Sequence, residues 1–143
     1  MLKDNKTKKE DYKDNSIEQR NDKKSVLYIE DNPANLRLVQ QVLQCLPGLK
    51  MWSAPEPLLG LELAEEHIPD LILLDINLPG MDGYEVLKSL RGNDNTCRIP
   101  VIAISANAMP KDIKKGEEAG FDGYITKPVN VKELLATVES KLS

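Results

Sequence analysis

The sequence predicts an α/β fold of three layers, in which a parallel five-stranded sheet is covered by helices on both faces. Short, nearly continuous apolar runs at 26–29, 71–74 and 101–104 are typical of strands buried on both sides. Two further strands are predicted at 49–54 and 121–126. A segment with helical periodicity follows each strand, and this strict alternation favours right-handed crossovers and a parallel sheet.

The first and last helices have the clearest patterns. Asn32 is a predicted N-cap and Pro33 a predicted first helical residue, and an apolar face follows at Leu36, Val39, Leu43 and Leu46. The last helix carries a stripe at Val131, Leu134, Leu135, Val138 and Leu142. The helices between them are predicted at 57–66, 83–91 and 110–119. The fourth helix has only Ile113 and Ala119 as anchors, so we expect it to be the least firmly docked.

The bulk composition indicates one globular domain preceded by a polar segment. The chain has 143 residues, of which 41% are apolar and 29% charged. Residues 1–24 hold few apolar residues, with eight Lys/Arg against six Asp/Glu, and predict a flexible tail ahead of a domain at 25–143. The remainder holds eleven basic against seventeen acidic residues, so it lacks the basic face that nucleic acids require.

Other function classes are disfavoured by what the sequence lacks. No apolar run reaches the ~20 residues of a membrane span, and the amino terminus does not resemble a signal peptide. Cys45 and Cys97 are interpreted as reduced thiols, since no Cys/His cluster suggests zinc. We therefore expect a cytoplasmic protein that binds neither membranes nor nucleic acids directly.

Chemically useful residues end four of the five predicted strands. Glu30-Asp31 follows the first strand, Asp75 ends the third and Ser105 ends the fourth, while Lys127 follows the fifth. In such folds, ligands bind at the carboxyl ends of the strands. Three clustered carboxylates repel one another unless a cation lies among them, and Mg²⁺ is the hard cation that such oxygens suit. A metal and a lysine together suit an incoming phosphoryl group.

These motifs resemble those of response-regulator receiver domains. The resemblance covers about 25–142 and rests on four separated motifs in the expected order: Glu30-Asp31, the segment DINLPGMDG at 75–83, Ser105-Ala106 and Lys127-Pro128. It implies a flavodoxin-like (βα)5 sandwich with strand order 2-1-3-4-5. It also implies phosphorelay signalling in a two-component system.

The resemblance further assigns a role to each residue of the constellation. Asp75 is expected to accept a phosphoryl group from a histidine kinase or a histidine phosphotransfer protein. Mg²⁺, with Mn²⁺ as a substitute, is expected on Asp31, Asp75 and the backbone carbonyl of Asn77. Glu30 is expected to act through a metal-bound water.

Three further residues complete the expected switch. Lys127, whose bond to Pro128 resembles the family's cis peptide, is expected to pair with the phosphoryl oxygens. Ser105 and Tyr124 are expected to rearrange and to change a protein-binding face on the fourth helix, fifth strand and fifth helix. The family more often has Asp at position 30 and often Thr at 105, and both departures keep the chemistry.

Other functions are compatible with the same architecture. A receiver-like module that signals without phosphate is the main alternative, although the retained Asp31, Asp75 and Lys127 argue against it. A flavodoxin-like cofactor binder is disfavoured because Glu30-Asp31 repels phosphate, and an aspartate-nucleophile phosphatase because Asn77 replaces its second acid. The domain is therefore expected to catalyse only its own phosphorylation and dephosphorylation, either as a stand-alone regulator or as part of a hybrid sensor kinase.

Overall fold

The structure, a computed structural model, describes residues 24–143 of the chain. Strands and helices alternate along this part of the chain in the order β1 (Lys24–Ile29), α1 (Pro33–Leu43), β2 (Leu49–Ala54), α2 (Pro57–His67), β3 (Leu71–Asp75), α3 (Gly83–Arg91), β4 (Val101–Ser105), α4 (Pro110–Ala119), β5 (Gly123–Thr126) and α5 (Val131–Leu142). Within residues 24–143, no helix combines the length and the apolar character needed to cross a membrane.

The strands form a parallel five-stranded sheet in the order β2-β1-β3-β4-β5, which confirms the predicted architecture. Strand β1 begins at Lys24, one residue before the predicted start of the domain, and Lys24 pairs with Leu49. The rest of the predicted tail, residues 1–23, lies outside the described residues.

The predicted start of β5 at residue 121 is wrong, since the strand begins at Gly123. Asp122 is held just before it: its carboxylate accepts a hydrogen bond from the Val101 amide at 2.8 Å and one from Arg91 Nη2 at 2.9 Å. Arg91 also donates to the Ile99 carbonyl at 2.7 Å. One guanidinium therefore ties the end of α3 to the loops that lead into β4 and β5.

Two apolar clusters lie on opposite faces of the sheet. One packs α1 and α5 against the sheet through Val39, Val42, Leu43, Leu134 and Val138. The other packs α2 and α3 through Ala64, Val86, Leu87 and Leu90. Each fully buried Leu or Ile side chain contributes about 1.5–3 kcal/mol of burial free energy, so these clusters hold the sheet edge that carries the site.

The ends of α1 follow the prediction in part. The Asn32 side chain accepts hydrogen bonds from the amides of Ala34 at 2.8 Å and Asn35 at 3.1 Å, and Pro33 is the first helical residue. The helix ends at Leu43, so Leu46 lies beyond it, although Leu46 still packs against the α1–α5 cluster.

Helix α4 is the element whose predicted anchors were partly wrong. Among its ten described residues Gly116 alone is buried, whereas Ala119 is exposed and Ile113 only half-buried. An added Cβ at Gly116 would lie 2.8 Å from Cδ2 and 3.0 Å from Cε2 of the Tyr124 ring. The missing side chain therefore creates a notch in the helix that receives this ring.

An aromatic stack lies at the β2 edge of the sheet. The rings of Trp52, on β2, and His67, the last residue of α2, stack with centroids 4.2 Å apart and an interplanar angle of 13°. The Lys50 ammonium lies 4.8 Å from the Trp52 ring centroid. His67 therefore packs against Trp52 at the end of α2.

Candidate functional site

The strand register brings the predicted residues to one edge of the sheet. Asp75 pairs with Ile104, and Ser105 pairs with Thr126, so β3, β4 and β5 end at the same level. On the other side of β3, Ile29 pairs with Leu74, so the following Glu30 reaches the level of Asp75. The alternation of strands and helices therefore assembles the site from four separate loops.

Three carboxyl groups form the centre of this edge. One oxygen from each of Glu30, Asp31 and Asp75 lies within 4.8 Å of the others. Glu30 is 1% exposed and Asp75 is 3% exposed, whereas Asp31 is open to solvent. Burial raises the pKa of Glu30, and the neighbouring Asp75 raises it further, because a second negative charge there is costly.

Lys127 balances part of this charge. Its Nζ lies 3.1 Å from Asp75 Oδ2 and 3.3 Å from Glu30 Oε1. Partial burial by itself lowers the pKa of Lys127, but the hydrogen bond and charge of Asp75, reinforced by Glu30, outweigh it and raise the pKa overall. The lysine therefore stays charged, and its bond to Pro128 is cis, as the resemblance implies.

Glu30 has partners that the sequence analysis missed. The buried Tyr28 hydroxyl donates a hydrogen bond to Oε1 at 2.8 Å, and Asn35 Nδ2 donates to the same oxygen at 3.3 Å. The amide of Asn32 donates to Oε2 at 3.2 Å. Burial and the charge of Glu30 raise the pKa of Tyr28 far above its ordinary value, so the phenol remains a donor.

A chain of hydrogen bonds leads from Asp75 to β5. The Asn77 amide donates to Asp75 Oδ1 at 2.9 Å, and the fully buried Ser105 hydroxyl donates to Asn77 Oδ1 at 3.3 Å. The Asn107 amide donates to Ser105 Oγ at 3.0 Å, and the Tyr124 hydroxyl donates to the Asn107 carbonyl at 2.9 Å. The predicted acceptor, the predicted serine and the predicted tyrosine are thus physically linked.

The donor set fits a hard divalent cation. Three carboxylates and one ammonium leave two surplus negative charges when all are ionised. Bonds of about 2.1 Å place the oxygens around one Mg²⁺ no more than about 4.2 Å apart. One oxygen from each carboxyl group lies within 4.8 Å of the others, so small movements would bring these oxygens to the separations that a single Mg²⁺ requires.

The family model of the response regulator receiver domain matches residues 26–139. The chain belongs to this family. As a receiver domain it serves phosphorelay signalling in two-component systems. Receivers take phosphoryl groups from histidine kinases and act on downstream targets. Such domains are not generally turnover enzymes.

Relatives of this receiver domain include small regulators and a receiver from a sensor kinase. The polar-differentiation response regulator DivK of Brucella anthropi is 40% identical over 119 residues, covering 83% of this chain and 96% of DivK. The chemotaxis response regulator CheY4 of Vibrio cholerae has a TM-score of 0.77 at 27% identity, covering 84% of this chain and 99% of CheY4.

A third relative bears on the metal. The receiver domain of the sensor histidine kinase PA1611 of Pseudomonas aeruginosa has a TM-score of 0.76 at 31% identity, covering 84% of this chain and 98% of that chain. Its structure contains a magnesium ion coordinated in the active site cleft. The cluster of Glu30, Asp31 and Asp75 in this receiver has the ligand chemistry that such an ion requires.

Proposed function

We propose that this receiver accepts a phosphoryl group on Asp75, with Mg²⁺ bound beside it, and thereby changes the face formed by α4, β5 and α5. One observation carries the proposal. The Asp75 carboxylate is 3% exposed and lies between an ammonium at 3.1 Å and two further carboxylates within 4.8 Å. A buried acid in that setting is positioned for phosphoryl transfer, which depends mainly on placement and charge neutralisation.

The metal ligands follow from the carboxyl groups. Asp31 and Asp75 would hold Mg²⁺ directly together with the backbone carbonyl of Asn77, and Glu30 would act through a water bound to the cation. Mn²⁺ takes the same oxygen ligands and substitutes for Mg²⁺. When bound, the cation neutralises charge on the phosphoryl oxygens.

The transfer itself needs little from the protein beyond these contacts. An Asp75 carboxylate oxygen forms a bond to phosphorus while the bond from phosphorus to the donor imidazole nitrogen breaks, and the electron pair of that bond returns to the nitrogen. The donor is the phosphohistidine of a histidine kinase or a histidine phosphotransfer protein. Lys127 then pairs with a phosphoryl oxygen, since its Nζ already contacts Asp75 Oδ2.

The switch uses the hydrogen-bond chain beyond Asp75. A phosphoryl group on Asp75 competes with Asn77 Oδ1 for the Ser105 hydroxyl, because charged acceptors form stronger hydrogen bonds. Movement of Ser105 disturbs its bond from Asn107, whose carbonyl holds the Tyr124 hydroxyl. Helix α4 buries only Gly116 among its described residues, so a few kcal/mol of new contacts suffice to shift it.

The direct test is phosphorylation by a small donor. With acetyl phosphate and Mg²⁺, intact-mass measurement is expected to show one added phosphoryl group on the wild type and none on Asp75→Asn. Asp94→Asn is the matched control, since Asp94 is an exposed carboxylate on the loop between α3 and β4, and it is expected to be labelled like the wild type.

Two results would contradict the proposal. Labelling retained in Asp75→Asn would place the acceptor elsewhere. A wild type that takes no phosphoryl group even with Mg²⁺ would favour the alternative of a receiver that signals through phosphate-independent binding.

A further inference from the structure

Tyr28 is a fully buried polar side chain for which the proposed function has no use. It lies on β1 at 0% exposure, within the aliphatic cluster that packs α1 and α5 on the sheet. Its neighbours on this face include Val26, Leu71 and Leu73, which fill the core with hydrocarbon alone. An aliphatic side chain at position 28 would satisfy the packing, so the hydroxyl calls for a separate explanation.

The hydroxyl reaches the acidic cluster because of strand geometry. Residues two apart on a strand share a face at a spacing of about 6.6 Å, a distance that a tyrosine side chain spans. Tyr28 therefore extends along β1 beneath Glu30, and its hydroxyl donates to Oε1 at 2.8 Å. This is the shorter of the two hydrogen bonds that Oε1 accepts within the described part of the chain, where Lys127 adds an ion pair at 3.3 Å.

The other donors to Oε1 hold Glu30 less firmly. Asn35 and Lys127 each lie 3.3 Å away, and Lys127 is shared with Asp75. A phosphoryl group that draws the lysine toward Asp75 weakens its bond to Glu30. The Tyr28 hydroxyl does not depend on Lys127, and it keeps Oε1 fixed while Oε2 stays beside the Asn32 amide.

We propose that Tyr28 is a positioning residue for the metal site: its hydroxyl holds the Glu30 carboxylate in the orientation that binds the hydrated cation. The inference rests on the proposed function, because it requires that Mg²⁺ binds at this cluster. It acts through Glu30 alone, since the hydroxyl is hydrogen-bonded to that side chain. Partners that orient directly ligating side chains affect metal affinity by about 10–100-fold, and because Glu30 acts through a water the lower end of that range is expected.

The test is a Mg²⁺ titration of the purified chain by isothermal calorimetry. Tyr28→Phe keeps the ring and removes the hydroxyl, and it is expected to weaken Mg²⁺ binding by about tenfold. Tyr28→Leu, which matches the aliphatic neighbours, provides a second variant with the same expected loss. Tyr84→Phe is the matched control, because that half-buried ring packs on Phe121, and it is expected to bind Mg²⁺ like the wild type.

A double-mutant cycle separates positioning from a structural effect. In a Glu30→Ala background, Tyr28→Phe is expected to cause no further loss of Mg²⁺ affinity. An equal loss in that background would overturn the inference, because the hydroxyl would then act on the fold. Wild-type affinity in Tyr28→Phe would overturn it as well, with the proposed function intact, whereas absence of Mg²⁺ binding by the wild type would refute both.

Discussion

Because of the notch at Gly116, a glycine-to-alanine substitution that normally stabilises a helix is expected to destabilise this protein. Replacing a helical glycine with alanine ordinarily stabilises by about 1 kcal/mol. Here the new methyl group would meet the Tyr124 ring at 2.8 Å and 3.0 Å, well inside van der Waals contact. Overpacking of this kind costs about 1–3 kcal/mol. The difference predicts that Gly116→Ala lowers the free energy of unfolding by about 1 kcal/mol.

Removal of the ring is expected to reverse the sign. In a Tyr124→Ala background the steric conflict is gone, and Gly116→Ala is expected to raise the free energy of unfolding by about 1 kcal/mol. The two effects of the same substitution then differ by about 2 kcal/mol, within the range known for residues in contact.

Urea unfolding of the four proteins of this cycle, followed by circular dichroism, measures both effects. Equal stabilisation by Gly116→Ala in both backgrounds would refute the reasoning, because the ring would then not occupy the notch in solution. An unchanged m-value is required for the comparison, since it shows that the unfolded states are alike.

Three more perturbations test other parts of the structure. Lys127→Ala is expected to accept a phosphoryl group but to lose the phosphorylation-induced change in α4 amide exchange. If phosphorylation changed α4 amide exchange in this variant as much as in the wild type, Lys127 would have no part in the switch. Burial raises the pKa of Glu30 in the folded state, so ionisation of this carboxyl group lowers the stability of the protein as the pH rises through that pKa. Glu30→Gln is therefore expected to raise the melting temperature in EDTA at pH 7, and to lose this advantage below the ordinary pKa of 4.5, where the carboxyl group is protonated in both states. A gain in melting temperature that grows on acidification would contradict this sign. Ile68 caps α2 with a φ of 45° and is 45% exposed. Asparagine tolerates this conformation better than isoleucine, so Ile68→Asn is expected to raise the free energy of unfolding in urea by about 1 kcal/mol. A lower free energy of unfolding would show that the contacts of the isoleucine outweigh the strain.

The sequence predicts the architecture well because burial on both faces gives the strands an unmistakable pattern. The runs at 71–74 and 101–104 lie within β3 and β4, every residue of which is buried. The start of β5 could not be found in the same way. Phe121 is apolar like a strand residue, but it packs beside α3, and the hydrogen bonds of Asp122 hold the chain outside the strand.

The acidic cluster is also predictable, since parallel strands end at one edge and polar residues end or directly follow four of the five strands. Its supporting partners are harder to recognise. Tyr28 lies in an apolar run and resembles a core residue, and only its position two residues before Glu30 signals a link. Arg91 gives no such signal, because its partners are mostly backbone carbonyls set by the tertiary fold.

The aromatic stack at the β2 edge has a practical consequence for the study of this receiver. Trp52 is the single tryptophan of the chain and pairs with Leu27, three residues before Glu30, so its backbone lies about 10 Å along the strand direction from the level of the acidic cluster, on the edge strand next to β1. Emission from that indole reports on unfolding and on its histidine and lysine neighbours. Occupancy of the phosphoryl site is better followed by mass, calorimetry or an engineered fluorophore.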